Sequence, residues 1–201
     1  MKIKAVIIGV LLLNTMLYPY FNVLDKMVEK DDATFWKSHY DVPYYASAAV
    51  LGLAFYEGEK SRLGKTAWKS IDAGLLSAMI TFGLKNHTRR TRPIWNDNPN
   101  LWQAMDDEEG GFPSQHVAGT TALVTPFILE YQKDYPMVHL LWAFPIHQMV
   151  GRLKAQAHWQ TDVLAGFGVG LISGLVAHHN DTPLLLSIAP DALSVGFKHK
   201  F

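Results

Sequence analysis

Apolar residues occur in runs separated by short polar or charged segments, and this pattern repeats along most of the chain. Four such runs cover residues 42–56, 73–84, 117–129 and 163–177. The strict alternation of a half-buried strand is missing until the end, where two segments flanking Pro190, residues 184–188 and 193–197, are candidates for extended structure. The sequence therefore predicts an all-α fold, a compact bundle of about five to six helices.

The first 24 residues form a separate apolar segment. Two lysines within the first four residues precede an uncharged stretch, which is typical of a secretory signal or an N-terminal membrane anchor. A buried helix is the alternative. Because aromatic residues and Pro19 occupy the place where small residues would mark a cleavage site, an uncleaved anchor is favoured. We divide the chain into a signal or anchor segment, residues 1–24, and a helical domain, residues 25–201.

The four later runs are shorter than a usual membrane span. They reach about 12 to 16 residues, whereas a bilayer crossing needs about 20. They are interpreted as helices of a compact bundle or as short, tightly packed spans. Gly166, Gly170 and Gly174 recur at every fourth position and place three glycines on one helix face, where another backbone can approach closely.

Composition and charge exclude several classes of protein. The 18 basic residues balance 18 acidic ones, so the basic surplus of a nucleic-acid-binding protein is missing. The chain has no cysteine, which excludes disulfides, thiolate metal sites and cysteine nucleophiles. The histidines form no recognisable zinc pattern, and the sequence predicts no metal site.

One long irregular segment, residues 93–113, has the length of an active-site loop.

The first candidate cluster is the segment 85–93, Lys-Asn-His-Thr-Arg-Arg-Thr-Arg-Pro. If the preceding helix continues through it, Lys85, Arg89 and Arg92 lie along one face. Pro93 disfavours helical backbone at Arg92, so the helix is expected to end there and Arg92 to project from a turn. The alternative is a positive helix end that only complements the helix dipole.

Two further clusters carry histidines. Ser114 is a natural N-cap for the run that follows, and a helix N-terminus with His116 in its first turn is suited to an anion, although a capped helix with an incidental histidine is the alternative. In the third cluster, Arg152 offers a planar fork for phosphate, and Asp162 lies four residues after His158, where a carboxylate can hold an imidazole N–H. An i,i+4 pair that merely stabilises a helix is the alternative there.

Together the three clusters resemble the type 2 phosphatidic acid phosphatase superfamily, which includes bacterial acid phosphatases and vanadium haloperoxidases. Its signature is Lys-x6-Arg-Pro, then Pro-Ser-Gly-His, then Ser-Arg-x5-His-x3-Asp, and the three parts occur here in order. The resemblance spans residues 72–177. Gln115 stands in place of a glycine and Gly151 in place of a serine. We expect these departures to affect rate and substrate preference rather than the reaction type.

The resemblance implies that His158 attacks phosphorus to form a phosphohistidine, with Asp162 orienting its ring. His116 then protonates the leaving alkoxide. Because His158 must be neutral and His116 protonated, we expect a bell-shaped pH profile. Fixed cations can supply the charge that a metal supplies elsewhere, so no cofactor is expected. By resemblance, the phosphate oxygens are held by Lys85, Arg92, Ser114, Gln115 and Arg152.

The predicted function is a metal-independent phosphatase acting on phosphate monoesters, with a lipid phosphate or pyrophosphate as the expected substrate. Phosphatidate, an isoprenoid pyrophosphate, a lipid A phosphate and a soluble ester remain open. The alternatives are a vanadate-dependent haloperoxidase and a non-catalytic helical membrane protein. Vanadate is expected to inhibit a phosphatase and to serve as the cofactor of a haloperoxidase. We expect membrane association, a site facing the periplasm or cell exterior, and no nucleic-acid partner.

Overall fold

The computed structural model describes residues 24–103 and 110–180, together with the backbone of two short strands, residues 187–189 and 192–194. Six α-helices lie within this part of the chain. They are α1 (Thr34–Lys37), α2 (Val42–Glu57), α3 (Arg62–Thr88), α4 (Gln115–Tyr131), α5 (Ala143–Lys154) and α6 (Gln160–His179), with a 3₁₀ helix (Pro136–Trp142) before α5. Strands β1 (Ser187–Ala189) and β2 (Ala192–Ser194) pair antiparallel, with Ile188 opposite Leu193.

The predicted helical bundle is confirmed. Helices α2, α3, α4 and α6 contain the four apolar runs, and each helix extends beyond its run. The two C-terminal segments expected to be extended overlap β1 and β2 in part. The apolar segment predicted as a signal or anchor lies outside the described residues except for Leu24, and so do residues 104–109 of the long irregular segment.

Helices α3, α4 and α6 form the centre of the bundle and meet through small side chains. Ala73, Ala122 and Ala177 make one buried cluster, one residue from each helix. A second cluster joins Leu84, Ala118 and Val169 in the same way. Small residues at these positions let the three helix axes lie close together, which brings the helix ends that carry the predicted site residues to one end of the bundle.

The glycine stripe on α6 is the contact surface for α4. A Cβ atom at Gly166 would clash with the Ser114 carbonyl oxygen, and one at Gly170 would clash with the Ala118 carbonyl oxygen. At Gly174 it would clash with the side chain of Thr125. The predicted close approach of two backbones is therefore observed, and Gly166 makes it directly beside the start of α4.

Replacing Gly166 by alanine is expected to destabilise the bundle and displace Ser114. Overpacking of this kind costs about 1–3 kcal/mol in the free energy of unfolding. Gly168 is the matched control, because a Cβ there meets nothing within 4 Å and alanine favours the helix. Thermal denaturation should give Gly166→Ala a lower midpoint than the wild type and Gly168→Ala an equal or higher one. Equal midpoints for the two variants would contradict this packing.

Helix α3 ends earlier than the sequence suggested. Ser61 caps its start by accepting a hydrogen bond from the Gly64 N–H at 2.9 Å. Its last residue is Thr88, and Arg89 follows in the left-handed region with φ 41°. The condition under which Lys85, Arg89 and Arg92 would share one helix face is therefore not met, whereas Arg92 lies outside the helix as expected. Arg89 is exposed to solvent, and Arg92 is carried by the loop that follows.

The polar segment after Leu24 packs onto the loop between α5 and α6. The Lys26 backbone N–H donates to Gln160 Oε1, and Gln160 Nε2 donates back to the Lys26 carbonyl oxygen, each at 2.9 Å. Lys154 Nζ lies 2.7 Å from Asp31 Oδ2. The chain that enters the domain thus braces the loop that carries His158.

Helix α6 is long and apolar enough to cross a membrane by length and composition, and it is the one helix of the described residues with that property. Half of its apolar stretch is buried against the rest of the chain. A core helix passes the same test.

Candidate active site

Two consecutive glycines connect the first and third clusters of the sequence. Lys85 Nζ donates to the Gly110 carbonyl oxygen at 2.6 Å, and Arg92 Nη2 lies 3.5 Å from the same oxygen. The next carbonyl, that of Gly111, lies 2.7 Å from His158 Nδ1. Gly110 has φ +65°, a backbone conformation that favours glycine. This glycine turn therefore places two cations and the His158 ring around one point.

The His158 ring is buried, and its two nitrogens have different partners. Because a carbonyl oxygen only accepts, the contact with Gly111 assigns the proton to Nδ1. Nε2 then carries a lone pair, and Arg152 Nη2 lies 3.4 Å from it. Burial, followed by the charges of Arg152, Lys85 and Arg92, lowers the pKa of His158 well below its usual value. The ring is neutral at neutral pH.

The Asp162 carboxylate makes a hydrogen bond to the backbone of the His158 loop, not to the His158 ring. Its Oδ2 is 3.6 Å from His158 Nδ1, longer than a hydrogen bond, whereas Gly111 accepts the Nδ1 proton. The same Oδ2 accepts the Trp159 backbone N–H at 2.8 Å. The resemblance implied a carboxylate that orients the imidazole directly, and the geometry gives the direct hydrogen bond to a backbone carbonyl instead.

The second cluster begins α4 as expected, with one difference. Ser114 is the N-cap residue, but its side chain makes no capping hydrogen bond; the Oγ atom is buried without a partner among the described residues. The Ser114 backbone N–H donates to the Asp162 carbonyl oxygen at 2.9 Å and is engaged there. The next three N–H groups, those of Gln115, His116 and Val117, lack partners within the helix, whereas the Ala118 N–H donates to the Ser114 carbonyl oxygen at 3.0 Å. The Gln115 side chain is exposed, which explains why glutamine is tolerated at this position.

His116 stands in the first turn of α4 and is partly buried. Burial, with the charges of Arg152, His39, Lys85 and Arg92, lowers its pKa to about 3. The same three cations act on His158, so both rings and all three cations belong to one site. At neutral pH His116 is therefore neutral unless a bound anion offsets its burial and the nearby positive charges.

Anion binding is therefore expected to take up protons. Two negative charges added between the cations raise the pKa of both histidines, so the bound state holds more protons than the free state at neutral and mildly acidic pH. Affinity for sulfate, which remains a dianion in this range, should rise as pH falls. Calorimetry in two buffers with different ionisation enthalpies measures the uptake. A binding enthalpy independent of the buffer would contradict it.

Arg90 is the main residue that the sequence analysis did not identify. Its guanidinium is fully buried and donates to Asp162 Oδ1 and Asp25 Oδ2, each at 2.5 Å, and to Thr161 Oγ1 at 2.7 Å. It also lies over the Trp102 ring, with Cζ 4.7 Å from the ring centre. Nothing in the run Arg-Arg-Thr-Arg distinguishes the structural arginine from its neighbours.

The arrangement suits a tetrahedral anion. Cations from α3, from the following loop and from α5 surround a helix N-terminus, with a neutral imidazole nitrogen beside them. In residues 24–103 and 110–180, no group of three His, Asp or Glu side chains is placed to hold a metal ion. Fold and site together define a helical protein with a cationic site that can accept a tetrahedral anion beside a neutral histidine.

Comparison with known proteins agrees with this class. The family model of the PAP2 superfamily matches residues 67–183, more than half of the chain. The crystal structure of LpxE from Aquifex aeolicus is similar in fold, with a TM-score of 0.53 and 21% sequence identity over 82% of this chain and 94% of that chain. A comparison with curated proteins gives no match. The chain belongs to the PAP2 superfamily, which confirms the resemblance seen in its motifs and supports its assignment as a phosphatase.

Proposed function

We propose that this protein is a metal-independent phosphatase that hydrolyses phosphate monoesters, with lipid phosphate or pyrophosphate as substrate, through a phosphohistidine intermediate. The observation that carries the proposal is the state of His158. Its Nδ1–H is engaged by the Gly111 carbonyl oxygen, and its Nε2 is an unprotonated nitrogen beside the Arg152 guanidinium. Phosphoryl transfer to histidine needs such a nitrogen next to fixed positive charge.

The reaction proceeds in two displacements. His158 Nε2 attacks phosphorus, the bond from phosphorus to the ester oxygen breaks, and its electron pair leaves with the alkoxide, which takes a proton from His116. Water then attacks phosphorus, the P–N bond breaks with its electrons returning to Nε2, and His116 accepts the proton of the water. Substrate binding prepares His116 for the first step, because the phosphate charge raises the pKa that burial and the neighbouring cations lower.

Lys85, Arg92 and Arg152 stabilise the charge that spreads over the non-bridging oxygens during transfer. Lys85 Nζ donates to the Gly110 carbonyl oxygen, and this contact exchanges for one with phosphate when the substrate binds. The buried Ser114 Oγ and the first N–H groups of α4 add uncharged donors. These contacts do what a divalent cation does in metal-dependent phosphatases, so activity is expected to survive EDTA.

The exposed apolar surface supports a lipid substrate and membrane association. Helix α2 has no charged residue before Glu57, and within it only Ala54 is buried. Large apolar side chains on this helix project outward, with Tyr44, Tyr45 and Tyr56 between 71% and 87% exposed. Continuous exposed apolar surface of this kind is typical of contact with a membrane or another protein.

A phosphate-release screen tests the proposal. Purified protein is assayed with phosphatidate, an isoprenoid pyrophosphate, a lipid A phosphate and p-nitrophenyl phosphate, with and without EDTA and vanadate. We expect release from at least one lipid substrate, faster than from the soluble ester, insensitive to EDTA and inhibited by vanadate. Bromination by peroxide in the presence of vanadate, without phosphate release, would favour the haloperoxidase. No activity in either assay would favour a non-catalytic protein.

We also propose that the site faces the periplasm or the cell exterior. The chain has no cysteine, so a single introduced thiol reports its own side of the membrane. Asp97→Cys lies in the exposed loop after Arg92. Labelling of intact cells by a membrane-impermeant maleimide is expected, whereas labelling only after lysis would place the site on the cytoplasmic side.

A further inference from the structure

A third imidazole lies next to the site, at the position where α5 lacks a side chain. Gly151 immediately precedes Arg152 and is buried in α5. A Cβ atom at Gly151 would lie 2.8 Å from His39 Cβ and 3.0 Å from His39 Cγ and Nδ1. The His39 ring, carried by the turn between α1 and α2, therefore occupies the space that any side chain at position 151 would enter.

The two nitrogens of His39 are in different states. Nδ1 lies 2.5 Å from the Trp36 carbonyl oxygen, which assigns the proton to Nδ1. Nε2 then carries a lone pair, and it is buried with no hydrogen-bond partner among the described residues, in a side chain that is 1% exposed. A buried acceptor without a partner is costly, which indicates that a donor outside the described chain completes it.

The surroundings of His39 belong to the phosphate site. Toward the site its neighbours are Arg152 of α5 and His116 of α4, whereas His147 of α5 lies on the side of Trp36. Tyr40, the next residue of the same turn, stacks against Arg152, with the guanidinium carbon 5.5 Å from the ring centre. Burial and the charge of Arg152 lower the pKa of His39, so the ring is neutral and Nε2 accepts.

We propose that His39 is a specificity-determining residue of this site, whose Nε2 accepts a hydrogen bond from a protonated non-bridging oxygen of the substrate phosphate. The proposal rests on the phosphatase function proposed above. A phosphate monoester loses its second proton with a pKa of about 6, so a P–OH group is available near neutrality. A site built around this proton distinguishes phosphate from sulfate, which has the same shape and no proton to donate.

The two anions therefore test the role of His39 without any catalysis. At mildly acidic to neutral pH, calorimetry should show that the wild type binds inorganic phosphate about 10-fold or more tightly than sulfate. Sulfate has no proton to donate, so its binding leaves Nε2 unpaired. In His39→Ala the preference should fall to about 2-fold or less. A preference equal to that of the wild type, or a wild type that does not prefer phosphate, would overturn the proposal.

Variants at position 151 separate the chemistry of His39 from its packing. Gly151→Ser alone clashes with the ring and should weaken the binding of both anions. In His39→Ala/Gly151→Ser the hydroxyl fills part of the vacated space and can donate to either anion, so affinity should recover without the preference for phosphate. Recovery of the preference as well would show that the ring nitrogen is not its source, and would overturn the proposal.

His147→Ala is the matched control. It removes another imidazole from the same region, one bonded to Ser38 Oγ at 3.2 Å and stacked on Trp36, and should leave the anion preference intact. Thermal midpoints of all variants identify any that fail to fold. The two proposals fail separately: absence of phosphate release by the wild type contradicts the phosphatase, whereas normal turnover with an unchanged preference in His39→Ala contradicts the role of His39.

Discussion

The His158→Asn variant is expected to lose phosphate release by at least about 10⁴-fold while still binding phosphate, because it removes the proposed nucleophile and keeps the cations. Asparagine retains an N–H near the place of Nδ1 and can still donate to the Gly111 carbonyl oxygen, so the glycine turn keeps its partner. Steady-state assays and phosphate binding on the same preparation measure the two effects. Trapping with labelled substrate should give an acid-labile phosphoprotein in the wild type and none in the variant.

His87→Asn is the control, since His87 is exposed and lies on the same stretch of chain as Lys85. It should leave turnover and phosphate binding close to wild type. Near-normal turnover in His158→Asn would remove the nucleophile from the mechanism even if the protein proves to be a phosphatase. Loss of phosphate binding together with turnover would instead indicate that the variant has disturbed the cation cluster.

The fold could be predicted because its determinants are local. Four apolar runs bounded by charges gave the main helices, and the spacing of Gly166, Gly170 and Gly174 gave the contact surface between α4 and α6. The end of α3 was placed too late. Pro93 marks where a helix must have ended, but the left-handed conformation of Arg89 ends it four residues earlier, and no sequence rule singles out an arginine for that conformation.

The part of the site that consists of charged side chains in spaced motifs could be predicted from the sequence. Lys85, Arg92, Arg152 and His158 were found because their spacing is distinctive, and the structure brings them together. The contacts between them were not predictable, because backbone carbonyls make them: Gly110 and Gly111 accept from Lys85 and His158. The position of His39 against Gly151 depends on a contact between residues more than a hundred positions apart, which one sequence does not encode in any local pattern.

The structural role of Arg90 could not be predicted from the sequence either. It is one of three arginines within four positions, and only its burial distinguishes it. Two buried carboxylates converge on it: Asp25 at the start of the domain and Asp162 in the first turn of α6. Asp25 also accepts the Thr161 backbone N–H at 2.8 Å, so the network ties the entering chain to the His158 loop. It therefore links the stability of the domain to the geometry of its site.

Replacing Arg90 by methionine is expected to cost about 3–5 kcal/mol in the free energy of unfolding, because it leaves two buried carboxylates without their cation. For a domain of this size the thermal midpoint should fall by roughly 10 °C, and phosphate release should fall with it as the His158 loop loses its anchor. Arg89→Met is the matched control, since it removes the same charge from an exposed neighbour. It should leave both quantities nearly unchanged.

If Arg90→Met does not fold, Asp25→Asn tests the same prediction, that the buried Arg90 network supports both stability and the site. This change removes one carboxylate and leaves Arg90 paired with Asp162, so the midpoint should fall less than in Arg90→Met and the protein should remain folded. Its loss of activity should appear mainly in kcat, because the phosphate-binding cations are not among the partners of Asp25. Midpoints of Arg90→Met and Arg89→Met within about 2 °C of each other would refute this role, since a buried cation that can be removed at no cost is not holding the site together.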